Sequence, residues 1–141
     1  MNDLAGRKNG KEIIVDGSTS IKKSNVLSMS KLNQGLTLTQ MQLLGYCVYS
    51  TQQGNGRTFK KVDFEKTFGI DNYLTPRAAQ DADKVSHLRI AASVDLEQDK
   101  FKYRNAFAEI NYEKGVFDYE FTPRMMGYIT GLEDNYLITD L

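Results

Sequence analysis

The sequence holds one cysteine, one histidine and two prolines in 141 residues. The lone cysteine, Cys47, excludes an internal disulfide framework and any multi-cysteine zinc or iron–sulfur site. The lone histidine, His87, excludes every mechanism that needs two imidazoles from one chain. Net charge is absent as well: 18 Lys+Arg balance 18 Asp+Glu, so global attraction gives no evidence for a polyanionic partner. No secretory signal opens the chain, whose first residues are polar and lack an apolar run. The longest charge-free stretch, 32–56, carries Asn33, Gln34, Gln40, Gln42, Gln52, Gln53 and Asn55, all costly in hydrocarbon. The expectation is a soluble, cytoplasmic protein with no membrane span.

What is present fits one domain, since 40% apolar and 11% aromatic residues suffice for a core at this length. The charges segregate along the chain. Residues 1–61 hold nine Lys/Arg and three Asp/Glu, a net +6, and residues 62–141 hold nine and fifteen, a net −6. A basic surface for a polyanion fits this pattern; a basic tail on a mildly acidic domain fits it equally. Residues 1–22, rich in Gly, Asn, Lys and Ser, read as a flexible arm. Its apolar island, Ile13-Ile14-Val15, can add a strand on contact with a partner. The folded domain is expected over 23–141.

Thr37 is placed to cap a helix over 38–52. Leu38, Met41, Leu44, Gly45 and Val48 share one side, and Thr39, Gln42, Tyr46 and Ser50 form a narrow polar strip, the pattern of a helix buried on most of its circumference. Gly54-Asn55-Gly56 makes a turn; no Gly-Lys-Ser/Thr follows that would make it a phosphate loop. A short strand over 57–62 is anchored by Phe59. Asp63 is expected to cap a brief helix over 64–68, stopped by Gly69. Thr75-Pro76 starts the next helix, expected to run to 88, with Ala78, Ala82, Val85 and Leu88 inward. Its other side shows Arg77, Gln80, Asp83, Lys84 and His87. A strand over 90–96 and a polar turn then lead to one long strand over 101–110. Glu113-Lys114-Gly115 turns into a strand over 116–121, and Thr122-Pro123 begins a helix over 124–132. Two helices in sequence followed directly by a hairpin describe an α+β winged helix, a helix-turn-helix with a β-hairpin wing. Other small α+β domains share the order.

No catalytic constellation emerges, so the chain does not read as an enzyme and no cofactor or metal is expected. Cys47 sits mid-helix on a largely apolar surface, where a packed thiol is the plain reading. His87 lies near a helix end. The acid pairs Asp81/Asp83 and Asp118/Glu120 lie two residues apart, which puts the first pair on different helix faces and the second on a solvated strand face. For DNA two surfaces stand out. The exposed side of the 76–88 helix offers Arg77 and Lys84 for guanine edges and Gln80 for adenine, although Asp83 on that side is repelled by phosphate. The wing offers Lys100, Lys102, Arg104 and Lys114 for phosphate oxygens, diluted by Glu97, Asp99, Glu109 and Glu113. A solvated, charge-mixed face explains the wing equally well.

The segment Ile21-Lys22-Lys23-Ser24-Asn25-Val26-Leu27, followed by Leu36-Thr37-Leu38-Thr39-Gln40-Met41-Gln42-Leu43-Leu44, resembles the opening of plasmid replication initiators of the RepB/RepE-like, iteron-binding type. Phe117-Asp118-Tyr119-Glu120-Phe121-Thr122-Pro123, continuing to Tyr128-Ile129, resembles that family's strand and proline-started helix, and Asn135-Tyr136-Leu137-Ile138-Thr139-Asp140-Leu141 the segment after it. The resemblance implies two winged-helix domains, of which this chain looks like the first. In relatives the second makes most base contacts with the origin repeats. The first contributes phosphate contacts in the monomer and the interface of a dimer that represses its own gene. Double-stranded DNA, a homodimer and host replication proteins are the partners so implied. Leu38, Leu44, Phe121 and Pro123 look like packing and capping positions. Apolar residues on both sides of the hairpin, Phe101, Tyr103 and Phe107 against Ile110 and Tyr112, suggest that one side covers the core and the other a twin subunit. A winged-helix transcriptional regulator and a protein-interaction module without DNA remain the alternatives.

Overall fold

A computed structural model describes residues 12–13, 25–131 and 135–138. The elements run β1 (Glu12–Ile13), β2 (Asn25–Ser28), a 3-10 turn (Met29–Leu32), α1 (Leu38–Gln52), β3 (Thr58–Lys60), α2 (Lys61–Phe68), α3 (Thr75–Ser86), β4 (Arg89–Asp95), β5 (Lys100–Asn105), β6 (Phe107–Glu113), β7 (Val116–Phe121), α4 (Pro123–Thr130) and β8 (Asn135–Ile138). Among the described residues these form three small sheets: β1-β4-β5, β3-β7-β6, and the parallel pair β2-β8. At the edge of the N-terminal island, Glu12 and Ile13 pair with Ser93 and Ala92 of the same chain; Ile14 and Val15, expected to add a strand on contact with a partner, lie outside the described residues. The remainder of residues 1–22 lies outside the described residues.

Local chemistry explains the helix ends. The Gln40 backbone N–H donates to Thr37 Oγ1 at 3.2 Å and the Thr37 N–H donates to Gln40 Oε1 at 3.0 Å, a reciprocal cap on α1. From there α1 crosses the core: Met41, Leu43, Leu44, Cys47 and Val48 are all buried. Leu38, expected to pack, is 74% exposed, because it occupies the first turn, before the helix enters the core. α2 starts earlier than expected, at Lys61. The chain passes straight from β3 into the helix, and Asp63 faces the positive end of its first turn rather than capping it. Gly69 ends α2 in the left-handed region, φ 63°, where a side chain is strained. Thr122 caps α4 by accepting from the Met125 N–H, with Pro123 as the first helical residue.

The expected long strand over 101–110 is two strands broken at Ala106. The Ala106 N–H donates to the Leu88 carbonyl at 2.9 Å, and its own carbonyl accepts from the Thr122 N–H at 2.9 Å. The Thr122 hydroxyl donates to the Asn105 carbonyl at 2.9 Å. Ala106 is buried at this neck, and a bulge between Phe107 and Glu109 follows it, after which Ile110 and Tyr112 pack on the core. Phe101 and Tyr103 stand outward on β5, whereas Phe107, of the same parity on β6, is buried.

The core joins α1, α3, α4 and the β3-β7-β6 sheet. Phe59, Phe64, Tyr73, Phe107, Phe117, Tyr119 and Phe121 form its aromatic part, with Phe59 stacked on Phe117 at 5.0 Å and the Phe107 ring tilted against Phe121 at 4.4 Å. Tyr119 reaches across to α1: its hydroxyl donates to the Cys47 carbonyl at 2.9 Å and lies 2.9 Å from Thr51 Oγ1. Among the described residues no helix is long and apolar enough to cross a membrane.

Candidate nucleic-acid interface

α3 turns Ala78, Asp81 and Val85 into the core, which leaves Arg77, Gln80, Asp83 and Lys84 on its exposed side. Gln80 and Lys84 have no partner among the described residues. Arg77 is partly engaged, since its guanidinium donates to Thr39 Oγ1 at 2.8 Å and lies 5.5 Å from the Tyr73 ring centre. His87 is the C-cap. Its Nδ1–H donates to the Asp83 carbonyl at 2.7 Å, and Nδ1 lies 3.6 Å from the Asp83 carboxylate.

The position of α3 is set by a buried polar network that hydropathy does not reveal. The Tyr73 hydroxyl donates to Asp81 Oδ2 at 2.6 Å and Gln40 Nε2 donates to Asp81 Oδ1 at 3.0 Å. Both Tyr73 and Asp81 are buried. The Tyr73 backbone is held on either side, its N–H by Glu65 at 2.8 Å and its carbonyl by the Lys61 ammonium at 2.6 Å. Burial, reinforced by the hydrogen bond to Asp81, pushes the Tyr73 phenol well above its usual pKa. A sequence signal existed: Asp81 interrupts the stripe Ala78–Asp81–Val85, where an apolar residue is expected.

The hairpin beside α3 is β6–β7. Ile110 and Tyr112 of β6 line a groove with Ala78, Ala79 and Ala82 of α3, the close approach that small side chains allow. The hairpin closes through Lys114 (φ 48°) and Gly115 (φ 85°), a two-residue turn between paired Glu113 and Val116. The Gly115 carbonyl accepts from the Lys61 N–H at 2.8 Å, so the wing tip sits at the start of α2. Exposed Lys60, in register with Val116, joins Lys114 there; sequence spacing did not place it.

Lys100, Lys102 and Arg104 belong to the other hairpin, β4–β5. The structure therefore does not bring them into one wing with Lys114, as the reading of a single long strand expected. Lys100 is exposed, whereas Lys102 and Arg104 are half-buried beside buried Ser93 and Ala91. A clamp fixes the root of this hairpin: Gln34 Nε2 donates to the Arg89 carbonyl at 2.8 Å and the Arg89 N–H donates to Gln34 Oε1 at 3.4 Å.

Among the described residues no three His, Cys, Asp or Glu side chains group as metal ligands. Cys47 is buried, and burial pushes its thiol far above the usual pKa, the reverse of an activated nucleophile.

A helix pair, a hairpin packed beside its second helix and a short strand completing that hairpin's sheet define a winged-helix domain. A family described as "Initiator Replication protein, WH1" matches residues 20–141. The chain belongs to that family, as the N-terminal winged-helix domain of a DNA-replication initiator. No curated protein and no solved structure compared with the chain matches it.

Proposed function

We propose that this domain binds the duplex repeats of a plasmid origin mainly through phosphate contacts, without catalysis, and forms a homodimer in its repressing state. The carrying observation is the free, exposed pair Gln80 and Lys84 on a helix flanked by a wing with Lys114 at its tip. Lys100, Lys102 and Arg104 extend the cationic surface on the neighbouring hairpin, with Arg77 contributing from the first turn of α3. Exposed Leu38, Leu74 and Leu96 are apolar surface that phosphate does not use and that a second subunit can cover. The cytoplasm, where an origin and host replication proteins are found, is the setting this reading implies.

The test is duplex binding against salt. Each phosphate contact contributes a slope of about −0.9 in log affinity against log salt. With four contacts, affinity falls roughly 150-fold between about 50 and 200 mM salt. A flat response refutes the reading and favours a protein-interaction module, to which exposed Asp83 on α3 is better suited. A strict monomer in sedimentation at high concentration removes the dimer.

A further inference from the structure

Among the described residues β6 is an edge strand, with β7 on one side only. The two-residue turn makes Glu113 and Val116 a pair that exchanges hydrogen bonds, and the next such pair is Asn111 with Asp118. Ile110 and Tyr112 fall between these pairs, so their N–H and C=O groups point away from β7. Tyr119, opposite Ile110, agrees with this phase: its own N–H turns away from β6 and donates to the Arg57 carbonyl at 2.9 Å. Ile110 and Tyr112 thus present backbone donors and acceptors that no described group bonds. They line a groove of about 410 Å³ whose far wall is α3.

The pleat sorts the side chains around that edge. Ile110 and Tyr112 stand on the core side, opposite buried Tyr119 and Phe117, and the α3 wall there offers Ala79 and Ala82. Glu109, Asn111 and Glu113 stand on the outer side, opposite Glu120, Asp118 and Val116. Asp83 lines the groove, and no Lys or Arg is among the described residues that do.

We infer that this edge takes up one extended peptide segment of a partner protein, antiparallel to β6, in which Lys or Arg alternates with small apolar residues. Strand addition draws affinity from main-chain hydrogen bonds and specificity from alternate side chains. The apolar side chains fall beside Ile110 and Tyr112, against the alanines of α3. The cationic ones fall on the outer side beside Glu109 and Glu113, where opposite charges across a pair stabilise a sheet. The same carboxylates repel the phosphates of a nucleic acid. Neither Gln80 nor Lys84 lines the groove, so the inference does not rest on the duplex contacts proposed for them.

A second copy of the chain fits less well. Antiparallel pairing of β6 with its twin, centred on Asn111, sets Glu109 opposite Glu113 twice, and like charges directly opposite destabilise. A twin's β5 has the right alternation from Lys100 to Arg104, but its other edge is taken by β4, and in this groove that edge meets α3.

The experiment is fluorescence anisotropy of a labelled peptide alternating lysine and valine, matched to the seven residues of β6, with origin-duplex binding measured in parallel. The parent is expected to bind it. Glu109→Gln/Glu113→Gln weakens binding roughly 2- to 30-fold at an unchanged melting temperature. Glu109→Lys/Glu113→Lys transfers the preference to a peptide alternating glutamate and valine, which a folding defect does not do. Methylating the valine N–H groups, which face β6 in an antiparallel pair, abolishes binding, whereas methylating the inner lysine N–H groups, which face away, does not. The inference is overturned if the parent does not bind the lysine peptide, if both methylated peptides bind alike, or if the variants keep the parent's preference. It is overturned too if the parent dimer excludes the peptide and Glu109→Lys/Glu113→Lys loses the dimer in sedimentation, which assigns the edge to a twin subunit. Loss of duplex binding alone, with the peptide retained, leaves this edge site standing and removes the duplex reading instead.

Discussion

Replacing Tyr73 by phenylalanine removes a single oxygen from the middle of the fold. In the parent that hydroxyl donates to Asp81 Oδ2 at 2.6 Å, and the Asp81 carboxylate holds only one other described hydrogen bond, from Gln40 at 3.0 Å. A hydrogen bond to a charged group contributes about 1.5–3 kcal/mol, and a buried acceptor left without its donor costs a similar amount. For a chain of this length roughly 3–4 °C of melting temperature corresponds to each kcal/mol, so Tyr73→Phe is expected to melt about 5–10 °C below the parent. Asp81→Ala strands two donors, the phenol and the Gln40 amide, at about 1–3 kcal/mol each. In the double variant the phenol is no longer left facing a vacated site. Its destabilisation is therefore smaller than the sum of the two single ones, with a coupling of about 1 kcal/mol or more. Thermal unfolding followed by circular dichroism measures all four proteins. A Tyr73→Phe melting temperature within about 1 °C of the parent, or strict additivity of the pair, refutes the claim that this network fixes α3.

Further expectations follow from the same geometry. Lys102→Ala and Arg104→Ala should each weaken duplex binding about equally for all sequences and lower the salt slope by about 0.9; loss confined to one sequence, read in parallel titrations, overturns their assignment to phosphate. Thr122→Val should destabilise by about 1–2 kcal/mol in chemical denaturation, since the hydroxyl both caps α4 and bonds the Asn105 carbonyl, whereas Thr122→Ser should be close to the parent. Burial pushes the Tyr119 phenol from 10.0 up to about 12. Its contribution to stability is therefore complete below the unfolded pKa and is lost as pH rises from about 10 to about 12, because the unfolded chain releases that proton first. Absorbance titration should show a late phenolate step coinciding with alkaline unfolding, and complete phenol titration without unfolding contradicts it.

The features legible in the sequence are those decided within a few residues. The Thr37 cap, the Gly69 stop, the proline starts at 76 and 123 and the turn at 114–115 all depend on neighbours along the chain. Their order was enough to indicate a helix-turn-helix with a hairpin. The break at Ala106 was not legible, because Leu88 and Thr122 impose it from distant parts of the chain and alternation continues through it unchanged. For that reason spacing alone puts Lys102 and Arg104 in one wing with Lys114. On α3, helical spacing alone suffices to put Gln80 and Lys84 on the exposed side. Asp81 was missed because an acid in an apolar stripe shows its purpose only when Tyr73 and Gln40 are seen to meet it.

The parallel pairing of β2 with β8, Asn25 beside Asn135 through Ser28 beside Ile138, has a mechanical consequence. A pull on the chain before residue 25 opposed by a pull after residue 138 slides these two strands lengthwise past each other. The rungs between them then share the force together and do not open one after another like a zipper. Tension transmitted through the backbone thus meets a shear clamp before it reaches the helices.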